Sequence, residues 1–262
     1  IPIVYIDTTM STNIKRSVKD LVKIINARPA NMSDLLDYVR LHVNDPHVCE
    51  RGIQAAWNLM FYDASEKKRA LDSNVLELSK SILELHGRNE IIGRPIVRNV
   101  LYVFKEMACV CESTSEKIKA THKAQIFDNV MEMGLSSIVI DYMSLYNGKV
   151  RGFVFDSKIQ EAGAAALGWC CLKASKDYRA KVIANGGLEK VNFCIVRCHN
   201  NPHVLRYARW TQAMLQEAKE EYERDMLAER EAVERQKMIL KMASGATTNT
   251  NKKKKKKKNL YQ

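Results

Sequence analysis

The sequence predicts an all-α chain organised as an α-solenoid, in which short groups of helices repeat and stack side by side. Three observations lead there. Apolar residues recur at helical spacing from Ile14 to Leu215, and 11 glycines and 5 prolines in 262 residues leave few breaks in that pattern. The stretch Ser157–Met214 holds three helices joined by tight breaks, in the space of one repeat unit. Motifs within the chain also echo one another at matching places in the helical pattern.

The elements follow in order. Residues 1–11 are a lead-in. Ile14, Val18, Leu21, Val22 and Ile25 mark a helix over Thr12–Arg28, closed by Pro29, and Leu35, Leu36, Val39 and Leu41 mark a second over Met32–Val43. Asn44-Asp45-Pro46-His47-Val48 then opens a long helix and returns as Asn200-Asn201-Pro202-His203-Val204. Proline suits the first helical position, where its missing N–H costs nothing. A second echo runs through Ala64–Ala70, Thr114–Ala120 and Ala174–Ala180, each following a long apolar helix. Each places a serine (Ser65, Ser115, Ser175) where a helix begins and a hydroxyl can accept from an early N–H. The repeated unit is therefore a long helix, a serine-capped short helix and a closing helix.

The intervals are unequal, and the longest holds Tyr146–Asp156, an inserted loop with apolar contacts at the edge of the stack. Insertions of this kind collect on one face and often carry binding, though a tolerated surface loop is an equal reading. In the last unit, Asn185-Gly186-Gly187 stops the short helix, because Asn and Gly tolerate the left-handed conformation of a helix end. Leu188–Cys198 is the closing helix, and Pro202 starts the next.

This pattern resembles the armadillo repeat. Ala184-Asn185-Gly186-Gly187-Leu188 matches the family's Ala/Asn-Gly-Gly-Ile/Leu element at the end of the first helix of a repeat. Asn201-Pro202-His203-Val204 matches its Asn-Pro/Glu-x-Val/Ile opening of the long third helix. The resemblance implies a right-handed superhelix of about four repeats over residues 12–215, with the third helices lining a concave groove. Such proteins are binding scaffolds and not enzymes. The nuclear-import adaptors of the family carry a Trp and, four residues later, an Asn on those helices. The matching positions here are Gln54/Asn58, Val103/Met107, Ala165/Trp169 and Trp210/Met214, so only Asn58 and Trp210 agree and the ladder is broken. The groove helices instead offer Arg51, Arg98, Arg206 and Arg209, which suit an acidic or mixed partner.

Beyond Gln216 the last helix is expected to run to about Met242, roughly 60 Å from Pro202 at about 1.5 Å per residue. Residues 216–244 form a charged extension, with Glu220/Arg224 and Glu231/Arg235 four apart and a thin stripe of Tyr222, Met226, Val233 and Leu240. It reads either as a solvated cap on the last repeat or as a helix that docks on a partner or a second copy. Residues 245–262 read as a disordered, low-complexity tail.

A hydrophobic content of 46% supports a folded core, and no apolar run reaches the roughly 20 residues of a membrane span. The chain opens on Ile1 and not on methionine, which leaves room for further repeats upstream; Ile1–Ile6 is too short and too uncharged for a signal peptide. Of the net charge of +12, seven units come from Lys252, Lys253, Lys254, Lys255, Lys256, Lys257 and Lys258, so the body is only mildly basic. The seven cysteines are odd in number and lie in helical patterns, as reduced thiols of a cytoplasmic or nuclear protein do.

No catalytic constellation emerges. Glycine loops for phosphate, a Gly-x-Ser-x-Gly elbow and a His-Glu-x-x-His helix are missing. Cys194, Cys198, His199 and His203 are zinc-ligand types, but a helix end and a turn separate the histidines, and the cysteines share a stripe with Val191 and Ile195. Buried thiols are the better reading, with no metal and no cofactor. The expected function is a protein-binding scaffold or adaptor, without small-molecule substrate, whose concave face presents Arg51, Gln54, Asn58, Arg98, Tyr102, Arg206 and Trp210. Tyr102 and Trp210 can equally be core between stacked helices. An alternative is a structural protein held to a filament, nucleic acid or another acidic polymer, such as tubulin tails, by the lysine run; a nuclear transport factor is a second. The lysine run also reads as an import signal or as an expansion without a role. These readings place the protein in the cytoplasm, on the cytoskeleton or in the nucleus.

Overall fold

Side-chain caps open some of the helices, and left-handed residues at Asn74, Gly134 and Gly186 open others. The computed structural model describes residues 19–25, 31–109, 132–172 and 174–258, and every regular element among them is a helix. Residues 19–25 are helical; they are followed by α1 (Met32–Leu41), α2 (Pro46–Tyr62), α3 (Ala64–Asp72), α4 (Val75–His86), α5 (Gly93–Cys109), α6 (Leu135–Leu145), α7 (Ser157–Leu172), α8 (Lys176–Ala184), α9 (Gly187–Arg197) and α10 (Pro202–Lys258). The ends of the expected Thr12–Arg28 helix, the Ser115 echo and Cys111 lie outside the described residues. Among the described residues, no helix is long and apolar enough to cross a membrane.

The proline-led starts form as the sequence predicts. Asp45 Oδ1 accepts from the His47 and Val48 amides at 3.0 and 3.3 Å, and Asn201 Oδ1 accepts from those of His203 and Val204 at 3.1 and 3.3 Å. The Ser175 hydroxyl takes the Tyr178 amide at 3.2 Å. Ser65 does not cap α3: Asp63, two residues earlier, accepts from both its amide and its hydroxyl at 2.8 Å. A carboxylate outcompetes a hydroxyl here, because it carries the charge that the positive helix start favours. Gly186 has φ 85°, the left-handed geometry that ends α8.

The chain divides into two compact units, Ile1–Gln216 and Glu217–Gln262. In the first, α1 packs on α2, α2 on α5, α5 on α7, and α4 on α5; α6 and α9 pack on α7 and on each other. The start of α10 joins α7 through the Thr211 hydroxyl, which donates to Ala164 O at 2.8 Å. Close approach along α7 depends on its small residues: a Cβ at Gly163 would collide with Met143, and one at Gly168 with the Trp210 ring and the Thr211 hydroxyl. Val48, Ile53, Val97, Leu101, Phe104, Ile159 and Leu167 are among the core residues buried between these helices.

Polar ties cross from each group of helices to the next. The Tyr142 hydroxyl donates to Leu83 O at 2.8 Å and the Tyr146 hydroxyl to Gly87 O at 3.2 Å. His86 Nε2 lies 2.8 Å from Val43 O, and Asn185 Nδ2 donates to Ser137 Oγ at 3.0 Å. Buried Gln160 is a hub, donating to Met143 O and Tyr146 O at 2.9 and 3.1 Å while its Oε1 accepts from Cys194 Sγ at 3.2 Å. The expected loop Tyr146–Asp156 is present; Phe153 packs edge-on to buried Tyr146, with ring centroids 5.3 Å apart.

The second unit is the remainder of α10. Its exposed surface carries ion pairs, among them Arg235–Glu231 at 3.8 Å and Lys237–Glu234 at 3.0 Å, and leaves Tyr222, Leu227, Val233 and Leu240 exposed. The backbone stays helical to Lys258, past the expected end near Met242. No proline follows Pro202, and cations at a helix C-terminus face the negative end of its dipole.

Candidate protein-binding surface

The residues expected to line a groove come from three long helices. On α2, buried Val48, Gly52, Ile53 and Ala56 face the core, which leaves Arg51, Gln54 and Asn58 half-buried on another side. On α5, Arg98 and Tyr102 are half-buried and four residues apart, hence neighbours on one face. At the start of α10, Arg206 is exposed and Trp210 half-buried.

Rings and cations join these helices. Tyr102 stacks on Trp57 of α2, with centroids 4.6 Å apart and planes at 16°. Lys105 Nζ then lies 5.8 Å from the Tyr102 centroid and 5.4 Å from that of Tyr207 on α10. The Arg206 guanidinium follows at 5.9 Å from the Tyr207 ring. The resulting row is Trp57–Tyr102–Lys105–Tyr207–Arg206. A second pair, Trp169 and Trp210, meets edge-on at 4.9 Å and joins α7 to α10. The half-burial of Tyr102 and Trp210 reflects these ring contacts, so both residues hold helices together as well as facing outward.

Lys105 is held from below. Its neighbour Glu106, with a side chain 7% exposed, pairs with Lys67 of α3 at 2.8 Å and lies 3.6 Å from Lys105 Nζ. Burial pushes the Tyr102 hydroxyl up to about 12, Glu161 adds to the shift, and Arg98 works against it. Tyr102 is therefore a neutral donor at physiological pH. The indole Nε1 atoms of Trp57 and Trp169 are buried with no acceptor among the described residues. Each such donor costs about 1–3 kcal/mol.

Chemically, the surface can pair cations with carboxylates and cover apolar groups with rings. Nothing in the sequence marks Trp57, Lys105 or Tyr207 as surface residues of this kind. Tyr102, Lys105 and Glu106 stand three and four apart, which places them on one face, but the meeting of Lys105 with Tyr207 depends on helix packing that spacing does not encode. Lys252–Lys258 end α10 in the second unit.

The possible zinc set does not converge: Cys194 and Cys198 are buried, whereas His199 and His203 are exposed. Burial raises the Cys194 thiol to about 12 and raises that of Cys198, so neither is a thiolate at neutral pH. A cleft of about 540 Å³ lies between α1 and the α3–α4 turn, lined by Arg40, Asn74 and Glu77 among others, none of them from the long helices. No protein-family model matches the sequence, and no curated protein matches it.

Proposed function

We propose that this chain is a non-catalytic protein-binding scaffold, built as a right-handed solenoid of about four armadillo-like repeats. The single observation that carries the reading is the serial packing of the long helices, α2 on α5, α5 on α7 and α7 on the start of α10. Helices that meet in chain order, each with its own short companions, are what a stack of repeated units requires. Their outward residues then make one continuous binding face, with Arg51, Gln54, Asn58, Arg98, Tyr102, Arg206 and Trp210 along it.

The partner that suits this face is an acidic or mixed segment in helical or extended form. Arg51, Arg98 and Arg206 supply positive charge, and Lys105 adds a cation seated between two rings. Val103, Met107 and Ala165 stand where an import adaptor would place pocket residues, and all three are buried. That favours a general scaffold over a carrier of basic cargo. Its place is the cytoplasm, the cytoskeleton or the nucleus, where buried thiols such as Cys171 and Cys194 stay reduced.

Affinity capture from a cell extract, with partners identified by mass spectrometry, tests the reading. Replacing Arg51 and Arg98 together by glutamate is expected to remove the partners that the unchanged chain retains. An unaltered partner set would mean that the face is idle.

A further inference from the structure

A second surface lies at the edge where the long helices begin. The α4–α5 turn and the inserted loop meet there: a Cβ at Gly152 would collide with the Glu90 carboxylate, and Arg94 reaches Asp156 at 3.5 Å. The loop also meets α9, since Phe155 and Phe193 pack with centroids 6.5 Å apart, the Lys149 ammonium lies 5.1 Å from the Phe193 ring, and the Arg197 guanidinium lies 5.4 Å from that of Phe155. Three separate segments thus form one surface within the first unit.

Its composition is unusual in two ways. Aliphatic side chains stand exposed on all three segments: Ile91 at 87%, Val150 at 40%, Val154 at 57% and Val196 at 75%. Between them stand the cations Arg94, Lys149, Arg151, Lys158 and Arg197, all on exposed residues. Against these five, the three segments contribute three carboxylates, Glu90, Asp156 and Glu189, and Asp156 is already paired with Arg94. The exposed aliphatics sit on the same three segments as the cations, and the phenylalanines behind them, Phe155 and Phe193, are half-buried against each other. A protein interface would centre on packed aromatic residues and disfavour lysine. Duplex nucleic acid would use the cations and leave the aliphatics without a role. A lipid surface uses both, burying apolar tips at the headgroup boundary while anionic lipids attract the surrounding Lys and Arg.

We infer that this edge docks on an anionic lipid bilayer, with Ile91, Val150 and Val154 entering the headgroup region and Lys149, Arg151 and Arg197 facing lipid phosphates. The inference does not rest on the scaffold reading, because none of these residues belongs to the proposed binding row. The lysine run would itself attract anionic vesicles, so the test uses the full-length chain with Lys252–Lys258 replaced by serine. That protein is mixed with vesicles of phosphatidylcholine alone, or of phosphatidylcholine with phosphatidylserine, and sedimented.

The expected result is binding to the phosphatidylserine vesicles only. Affinity should fall at least about tenfold when Ile91→Ser and Val154→Ser are combined, given the apolar area each side chain buries. A loss of similar or larger size is expected for Arg151→Glu with Arg197→Glu, since each cation near an anionic surface contributes about fivefold. These positions are exposed, and an unchanged helical circular-dichroism signal shows that the variants are folded. Failure to bind the phosphatidylserine vesicles, or binding indifferent to the Ile91→Ser/Val154→Ser pair, would overturn the inference. So would equal capture by duplex DNA that the serine pair leaves unaffected.

Discussion

The ring of Tyr102 lies face to face on the indole of Trp57, with centroids 4.6 Å apart and planes 16° from parallel. The contact joins α5 to α2 at the point where the ring–cation row starts. A stacked pair is worth about 0.5–1.5 kcal/mol beyond the area it buries. In a double-mutant cycle by chemical denaturation, Trp57→Ala and Tyr102→Ala are expected to couple by about 1 kcal/mol. Additive losses would mean that the rings touch without stabilising the helix pair.

Gln160 should be among the least replaceable polar side chains. It is 1% exposed and satisfies the carbonyls of Met143 and Tyr146, at the end of α6, and the Cys194 thiol on α9. Gln160→Leu keeps the volume but strands the Met143 carbonyl and leaves Tyr146 O with the Asp156 amide alone, at a cost of about 1–3 kcal/mol. A fall in the urea midpoint at unchanged slope is the expected observation. An unchanged midpoint would place these carbonyls in contact with water.

The buried thiols set an alkaline limit on stability. Cys49, Cys171 and Cys194 are each raised to about 12 from an unfolded value near 9, with burial the leading cause. Below pH 9 the thiol is neutral in both states and costs nothing. As pH rises from 9 to about 12 the unfolded chain ionises first, so stability contributed by the neutral buried thiol is progressively lost. Thermal midpoints should therefore decline above pH 9, and serine at Cys171 and Cys194 should flatten that decline. Iodoacetamide at pH 8 should label the native chain slowly at both positions.

Neutralising Lys252–Lys258 separates scaffold from tether. Partner capture through the long-helix face is expected to survive replacement of all seven lysines by serine. Loss of capture, together with loss of its salt sensitivity, would assign binding to the lysine run.

Much of this architecture is legible one residue at a time. Asp45-Pro46, Asn201-Pro202, Ser175 and Asn185-Gly186 each solve a local problem at a helix end, and local problems leave local signatures. Ser65 is no cap because Asp63, two positions earlier, is a stronger acceptor that serves as the end of α2 and the start of α3 at once. α10 runs past Met242 because poor helix formers such as Thr247 and Asn249 weaken a helix without breaking it when no proline intervenes. Surface residues were harder. Arg98 and Tyr102 follow from spacing on one helix, whereas Lys105 between Tyr102 and Tyr207 arises only once α5 and α10 are brought together.

The most direct test of the long-helix face is site-specific photocrosslinking. A benzophenone amino acid is placed singly at Asn58, Arg98 or Arg206, and for comparison at exposed Glu84 or Leu85 on α4. The expected result is crosslinking to the same captured partner from Asn58, Arg98 and Arg206, with none from Glu84 or Leu85. Crosslinks from α4 alone, or equally from both sets, would contradict a binding surface on the long helices.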